Sequence, residues 1–173
     1  MSFQISAATI ADVNELCSLV NSAYRGETSR QGWTTEADLL DGGRTSPEIL
    51  KEILGMAETI IMKYTEGKNI LGCMELRQDH DRLYLGMLTV KPDLQGKGIG
   101  KIMLKAAEDE AKKRDCLSIY MTVISTRTEL IDWYKRHGYS ETGERKPFDF
   151  PDERWGIPKV KLEFVVLKKA MTF

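Results

Sequence analysis

The stretch Gln95-Gly96-Lys97-Gly98-Ile99-Gly100 constrains this chain more than any other. It follows an apolar segment ending Leu88-Thr89-Val90 and a proline, Pro92, and it opens a segment whose apolar residues recur at helical spacing. A glycine-dense turn between a strand and a helix aims backbone N–H groups at one spot, where the helix dipole also favours negative charge. Such a turn suits a phosphate or pyrophosphate, or simply a tight connection, since glycine also supplies positive φ and close packing. Two familiar phosphate loops do not fit. A Walker loop needs Ser or Thr after Gly-Lys, and here Ile102 follows Gly100-Lys101. The dinucleotide fingerprint needs G-x-G-x-x-G, and the glycines at 96, 98 and 100 bring the third one residue early.

The longer string from Val90 to Gly100 resembles the acetyl-CoA-binding motif of the GCN5-related N-acetyltransferases (GNAT), V-x-P followed after a spacer by Q/R-x-x-G-x-G/A. Val90, Pro92, Gln95, Gly98 and Gly100 stand at its defined positions. The resemblance implies that the loop amides of Gly96, Lys97, Gly98, Ile99, Gly100 and Lys101 hold the pyrophosphate of coenzyme A, with Gln95 shaping the turn. It implies further that the pantetheine arm runs along Met87, Leu88, Thr89 and Val90, pairing as an extra strand would, with a backbone N–H near Leu88 polarising the thioester carbonyl. Lys97 and Lys101 either assist at the pyrophosphate or remain solvated surface charges.

Element order supports the same family. Apolar spacing predicts a helix from Thr9 to about Ala23, with Ile10, Val13, Leu16, Cys17 and Val20 on one face, and a short helical piece around 35–40. Pro47 opens another helix, ending at Gly55. Strands at 59–66, 70–77 and 82–90, joined by short polar links, form an antiparallel meander. A helix from Gly98 to about Arg114 then leads to a strand at 118–124, a crossover that makes its flanking strands parallel. Thr126 and Glu129 read as a capping box for a helix ending at His137. Strands at 139–144 and 159–167 complete the chain. The expected fold is α+β, a mixed, mostly antiparallel sheet flanked by helices, and residues 1–173 are expected to form a single N-acetyltransferase domain.

A second motif lies at Tyr134-x-x-x-Gly138-Tyr139. In the family, a tyrosine placed like Tyr134 sits near the CoA sulfur and protonates the leaving thiolate. A phenol can do so because it is protonated at neutral pH. Leu130, Tyr134 and His137 also share a helix face, so a plain core role for Tyr134 stays open. Many members carry Asn seven residues before this tyrosine, where Arg127 stands here, so that contact does not transfer. Arg127 either reaches a CoA phosphate or faces solvent, and the helix-start position favours solvent.

The acceptor amine must lose a proton before it attacks, a task for a carboxylate. Glu75 is the candidate. If the hairpin pairs Arg77 with Arg82, Glu75 lies opposite Tyr84, where some family members place a basic glutamate. A half-exposed strand glutamate is the competing reading. Two segments should border the acceptor: 24–44, with Glu27, Trp33, Glu36, Asp38 and Asp41, and 146–157, rich in aromatics and acids. Together they suggest an acidic, aromatic-walled cleft for an ammonium, or loops whose acids face water. Arg25, Arg30, Arg44, Arg145 and Arg154 also allow an acceptor bearing a carboxylate.

The expected activity is therefore transfer of acetyl from acetyl-CoA to a primary amine of a small molecule, amino-acid derivative or peptide, directly in a ternary complex. The alternative is a non-catalytic CoA-sensing module on the same fold. A net charge of −1 argues against a nucleic-acid partner. The three widely spaced cysteines show no metal spacing, and read as buried reduced thiols of a cytoplasmic protein. No apolar run is long enough to span a membrane. The resemblance also allows a homodimer.

Overall fold

The computed structural model describes residues 2–150, 154 and 156–172. In chain order the strands are β1 (Gln4–Ala7), β2 (Leu40–Asp41), β3 (Thr59–Glu66), β4 (Asn69–Asp79), β5 (Arg82–Val90), β6 (Ser118–Ile124), β7 (Ser140–Pro147), β8 (Ile157–Pro158) and β9 (Glu163–Ala170). The helices are α1 (Val13–Tyr24), α2 (Pro47–Leu54), α3 (Ile99–Lys113) and α4 (Thr128–Arg136). Seven strands form one sheet in the order β1-β3-β4-β5-β6-β9-β7, and β2 pairs with β8 separately. Every pairing in the large sheet is antiparallel except β5 with β6.

The sheet is covered on both faces. β4 is buried from Ile70 to Leu76, as its apolar run requires of a central strand. Its alternate side chains feed two cores. Met74 and Leu76 join Leu83 and Leu85 of β5 and Met103, Ala107 and Ala111 of α3 on one face. Cys73 joins Leu16 and Val20 of α1 and Leu50 of α2 on the other. Ser46 caps α2, its hydroxyl accepting from the Ile49 N–H at 3.2 Å, and Pro47 supplies a first turn that needs no donor.

The parallel pairing in the middle is short. It joins Arg82–Tyr84 to Ser118–Tyr120, after which β6 pairs only with β9. Beyond Tyr84, β5 and β6 part. Just there β5 carries a bulge. Between the pairs Glu75↔Gly86 and Cys73↔Thr89, β5 takes three steps while β4 takes two. The extra residue is Met87, held at φ +55° in the left-handed region that non-glycine residues rarely occupy.

Several boundaries differ from the sequence expectation. The first helix begins at Val13, preceded by a 3-10 turn, and Ile10 is exposed. The helical piece before β2 is a 3-10 turn at Glu27–Gln31, while residues 37–39 form a simple turn. The β4–β5 hairpin pairs Asp79 with Arg82 and Arg77 with Tyr84, so Glu75 lies opposite Gly86 rather than Tyr84. That shift of two residues preserves facing, and Glu75 and Tyr84 still share a side of the sheet. The capping box at Thr126 is absent: the chain turns there, with Arg127 N bonding Ile124 O at 3.0 Å, and Arg127 is itself the N-cap. β9 begins at Glu163, and Val160 is exposed before it. β1, β2 and β8 were not anticipated. Cys73 and Cys116 are buried, but Cys17 is only partly so. No helix among the described residues is long and apolar enough to cross a membrane.

Candidate active site

Two cavities share lining residues from the part of β5 beyond its pairing with β6. One, about 380 Å³, lies beside the N-terminus of α3. The other, about 530 Å³, lies over Glu75 on β4. Tyr24, Leu88, Leu130 and Tyr134 line both.

The smaller cavity collects most of the residues singled out for the donor. Leu88, Val90 and Gln95 form one wall, and Gly96, Gly98, Ile99, Gly100 and Lys101 form the floor at the helix start. Gly96 and Gly98 sit at φ +82° and +89°, which explains why this turn uses glycine. No side chain caps α3, and its first i→i−4 bond runs from Ile102 N to Gly98 O at 3.1 Å. The N–H groups of Ile99, Gly100 and Lys101 therefore have no acceptor within the helix, and a phosphate oxygen would meet that need. Gly100 lets Trp133 approach: a Cβ there would lie 3.0 Å from the indole ring. Gln95 shapes the wall as expected of its position. Its amide donates to Val90 O (3.1 Å) and Thr34 Oγ1 (2.7 Å), and its oxygen accepts from Trp33 N (2.8 Å).

Two expected donor residues stand apart. Thr89 is buried away from the cavity, its hydroxyl donating to Met87 O at 2.9 Å. Lys97 is exposed and is not part of the cavity wall. Conversely, Trp33, Thr34, Trp133 and Arg136 line this cavity without having been singled out for it, because no motif marks them.

Tyr134 is packed edge-on against Trp133 (5.1 Å between centroids) and Tyr139 (5.7 Å). Its hydroxyl bonds to no other described residue, and burial pushes the phenol well above its ordinary pKa. It is thus a proton-bearing group at neutral pH. Tyr24 donates its hydroxyl to the Leu88 carbonyl, and burial pushes its phenol up to about 12.

In the larger cavity Glu75 is 8% exposed. Burial raises its carboxyl above the ordinary 4.5, opposed by Arg77 and Arg44. Arg77 Nη1 lies 3.6 Å from Glu75 Oε2, and its guanidinium sits 4.8 Å from the centre of the Tyr84 ring. Gly86, directly opposite Glu75, leaves room for the Tyr84 phenol, which a Cβ would meet at 2.6 Å. Phe148 and Phe164, 5.2 Å apart, form an aromatic wall.

The acidic cleft expected from segment 24–44 is not what forms. Glu27 and Asp38 both pair with Arg30, and Asp41 lies 3.3 Å from Lys159. Glu36 is buried between two guanidiniums, Arg25 Nη2 at 3.0 Å on one oxygen and Arg127 Nη1 at 2.8 Å on the other. The Arg127 side chain is therefore largely covered, contrary to the expectation of solvent, and it ties the 25–36 loop to the start of α4. Of the second segment, Lys146, Pro147, Phe148, Phe150 and Arg154 line the cavity. Pro151, Asp152, Glu153 and Trp155 lie outside the described residues. No group of His, Cys, Asp or Glu among the described residues could hold a metal ion.

Comparison with known proteins fixes the family. The model of the acetyltransferase (GNAT) family matches residues 15–139, more than half of the chain. The chain belongs to that family. An acetyltransferase of Agrobacterium fabrum, Atu2258, is 32% identical over 65 residues, 38% of this chain and 46% of that protein, so the match spans under half of the relative's length. The ribosomal-protein-S18-alanine N-acetyltransferase of Escherichia coli superposes with a TM-score of 0.74 at 14% identity, covering 99% of this chain and 96% of its own. PaiA N-acetyltransferase of Thermoplasma acidophilum, solved with coenzyme A, gives 0.70 at 19% identity over 98% and 99%. These two likenesses establish the fold, a mixed and mostly antiparallel sheet flanked by helices. The family binds acetyl-CoA, and the uncapped start of α3 fits its pyrophosphate.

Proposed function

We propose that this protein moves an acetyl group from acetyl-CoA to a primary amine of a small molecule, amino-acid derivative or peptide, directly within a ternary complex. The observation that carries this reading is that Tyr134 lines both cavities. Acetyl-CoA supplies the acetyl group as a thioester. Gly96, Gly98, Ile99, Gly100 and Lys101 hold its pyrophosphate through backbone N–H groups, and Leu88 and Val90 flank its arm. Glu75 accepts the proton that the acceptor ammonium must lose, directly or through a water. Tyr134 delivers a proton to the sulfur as the C–S bond breaks. The nitrogen loses a second proton as the tetrahedral intermediate collapses, and that proton restores the Tyr134 phenol, so the net proton released is the one on Glu75, which passes to solvent.

A thiol-release assay against an amine panel tests this reading, with Tyr134→Phe as the control. The expected result is release with at least one amine and a loss of about 10²-fold or more in kcat for the variant. Binding of acetyl-CoA with no release for any amine would favour a CoA-sensing module. The proposal includes residence in the cytoplasm, and three widely spaced free cysteines, two of them buried, support that reading.

A further inference from the structure

The charge around the acceptor cavity is lopsided in a way that selects among amines. Six of its described lining residues are Arg or Lys and three are Glu. Glu36 has a guanidinium on each oxygen, Arg25 and Arg127, so its single charge is already matched. Glu52 is paired with Arg154 at the rim. The remaining carboxylate, Glu75, is approached from two elements: Arg77 on its own strand, and Arg44 from the loop before α2. Both line the same cavity as Glu75 and Tyr84, with Arg77 Nη1 3.6 Å from Glu75 Oε2. Arg77 is held by the Tyr84 ring at 4.8 Å, and the Arg44 guanidinium lies 6.0 Å from the Tyr24 ring centre. Among the described residues the patch sets two guanidiniums beside one carboxylate, and a polycationic acceptor would be repelled from that cationic balance.

We propose that the acceptor is a small amine carrying its own carboxylate, which lies between Arg44 and Arg77 while the amine faces Glu75. The inference rests on the acetyltransferase reading above and names its substrate class. Guanidinium forks match a carboxylate in shape as well as charge, and a partly dehydrated cavity strengthens the pairing. The same contact fixes which nitrogen reaches Glu75, so the anion orients as well as binds.

Matched substrates test it. A panel of amino acids, each beside its carboxamide, and a linear polyamine are assayed for thiol release from acetyl-CoA. At least one amino acid should exceed its carboxamide by about tenfold or more in kcat/KM, mostly through KM, and the polyamine should be poorer than either. Arg77→Gln and Arg44→Gln should each shrink the acid-to-amide ratio severalfold. Taking the ratio cancels any common effect on Glu75. Turnover of the polyamine or the carboxamides at equal or higher efficiency overturns the inference and leaves the acetyltransferase reading standing. If no amine is turned over, that reading fails instead. Thermal shift of the CoA-bound protein by amino acids against carboxamides then decides the anion site: equal shifts overturn it, and a selective shift by the acids, lost in Arg77→Gln, supports it.

Discussion

Glu36→Gln is the sharpest probe of how this site is held together. The carboxylate links residues 91 apart in sequence, through Arg127 Nη1 at 2.8 Å, and closes on Arg25 Nη2 at 3.0 Å. The three side chains are only 9%, 9% and 5% exposed for Glu36, Arg127 and Arg25. Glutamine keeps the volume and one acceptor oxygen but removes the charge, leaving two buried guanidiniums facing each other. Removing one partner of a buried ion pair costs about 3–5 kcal/mol, and the retained acceptor argues for the low end, about 3 kcal/mol. For a chain of this size, 1 kcal/mol moves Tm by about 2–4 °C, so a fall of about 6–12 °C is expected in a calorimetric or dye-based melt. Removing one cation as well, in Glu36→Gln with Arg127→Met, should cost less than the sum of the two single changes. A Glu36→Gln melt within about 2 °C of the parent would refute the reasoning, because the triad would then carry no net charge balance worth keeping.

Other outcomes follow from single features. Tyr134→Phe should leave Tm within about 2 °C, since its hydroxyl bonds to no described residue, while thiol release collapses. A matching fall in both would assign Tyr134 to the core. Gly98→Ala meets no neighbour but must hold φ +89°, so it should lower Tm by about 2–8 °C and weaken CoA binding in calorimetry. Glu75 has a folded-state pKa raised above its unfolded value by burial, so the folded state binds more protons between the two. Stability should therefore fall as pH rises from the ordinary carboxylate range through that raised value. Glu75→Gln should flatten that slope in melts taken across pH, and an unchanged slope would exclude Glu75 as its source.

Much of the framework was legible because it rests on local signals. The glycine turn, the meander and the crossover each announce themselves by spacing, and the strands at 59–66, 82–90 and 118–124 fall at the expected residues. What was not legible has physical reasons. β1 is four residues at the sheet edge, half exposed, and carries no alternation worth reading. The hairpin was drawn short because Gln78 and Asp79 look like turn residues. In fact Asp79 stays in the strand, where its carboxylate accepts from Arg82 (2.7 Å) and Tyr120 (3.0 Å). The acids of segment 24–44 suggest a cleft for ammonium because two of their partners, Arg127 and Lys159, become neighbours only on folding. Glu75, Gln95 and Tyr134 could be singled out by position in a motif or a register. Tyr24 and Trp133, which line the cavities equally, sit in no pattern.

The bulge at Met87 decides which substrate each part of β5 can see. Before it, Leu83 and Leu85 point to the α3 core while Tyr84 and Gly86 share the Glu75 side. After it, Leu88 and Val90 pack against the α3 core, so the parity of the strand has reversed. A regular strand would have set positions 84, 86, 88 and 90 in one row on one face. In the proposed function, the inserted residue is what puts Tyr84 and Gly86 on the Glu75 side and Leu88 and Val90 on the α3 side of one strand. Deleting position 87 would restore plain alternation with Leu88 and Val90 still on the α3 side, but it would draw both about 3.3 Å back along the strand.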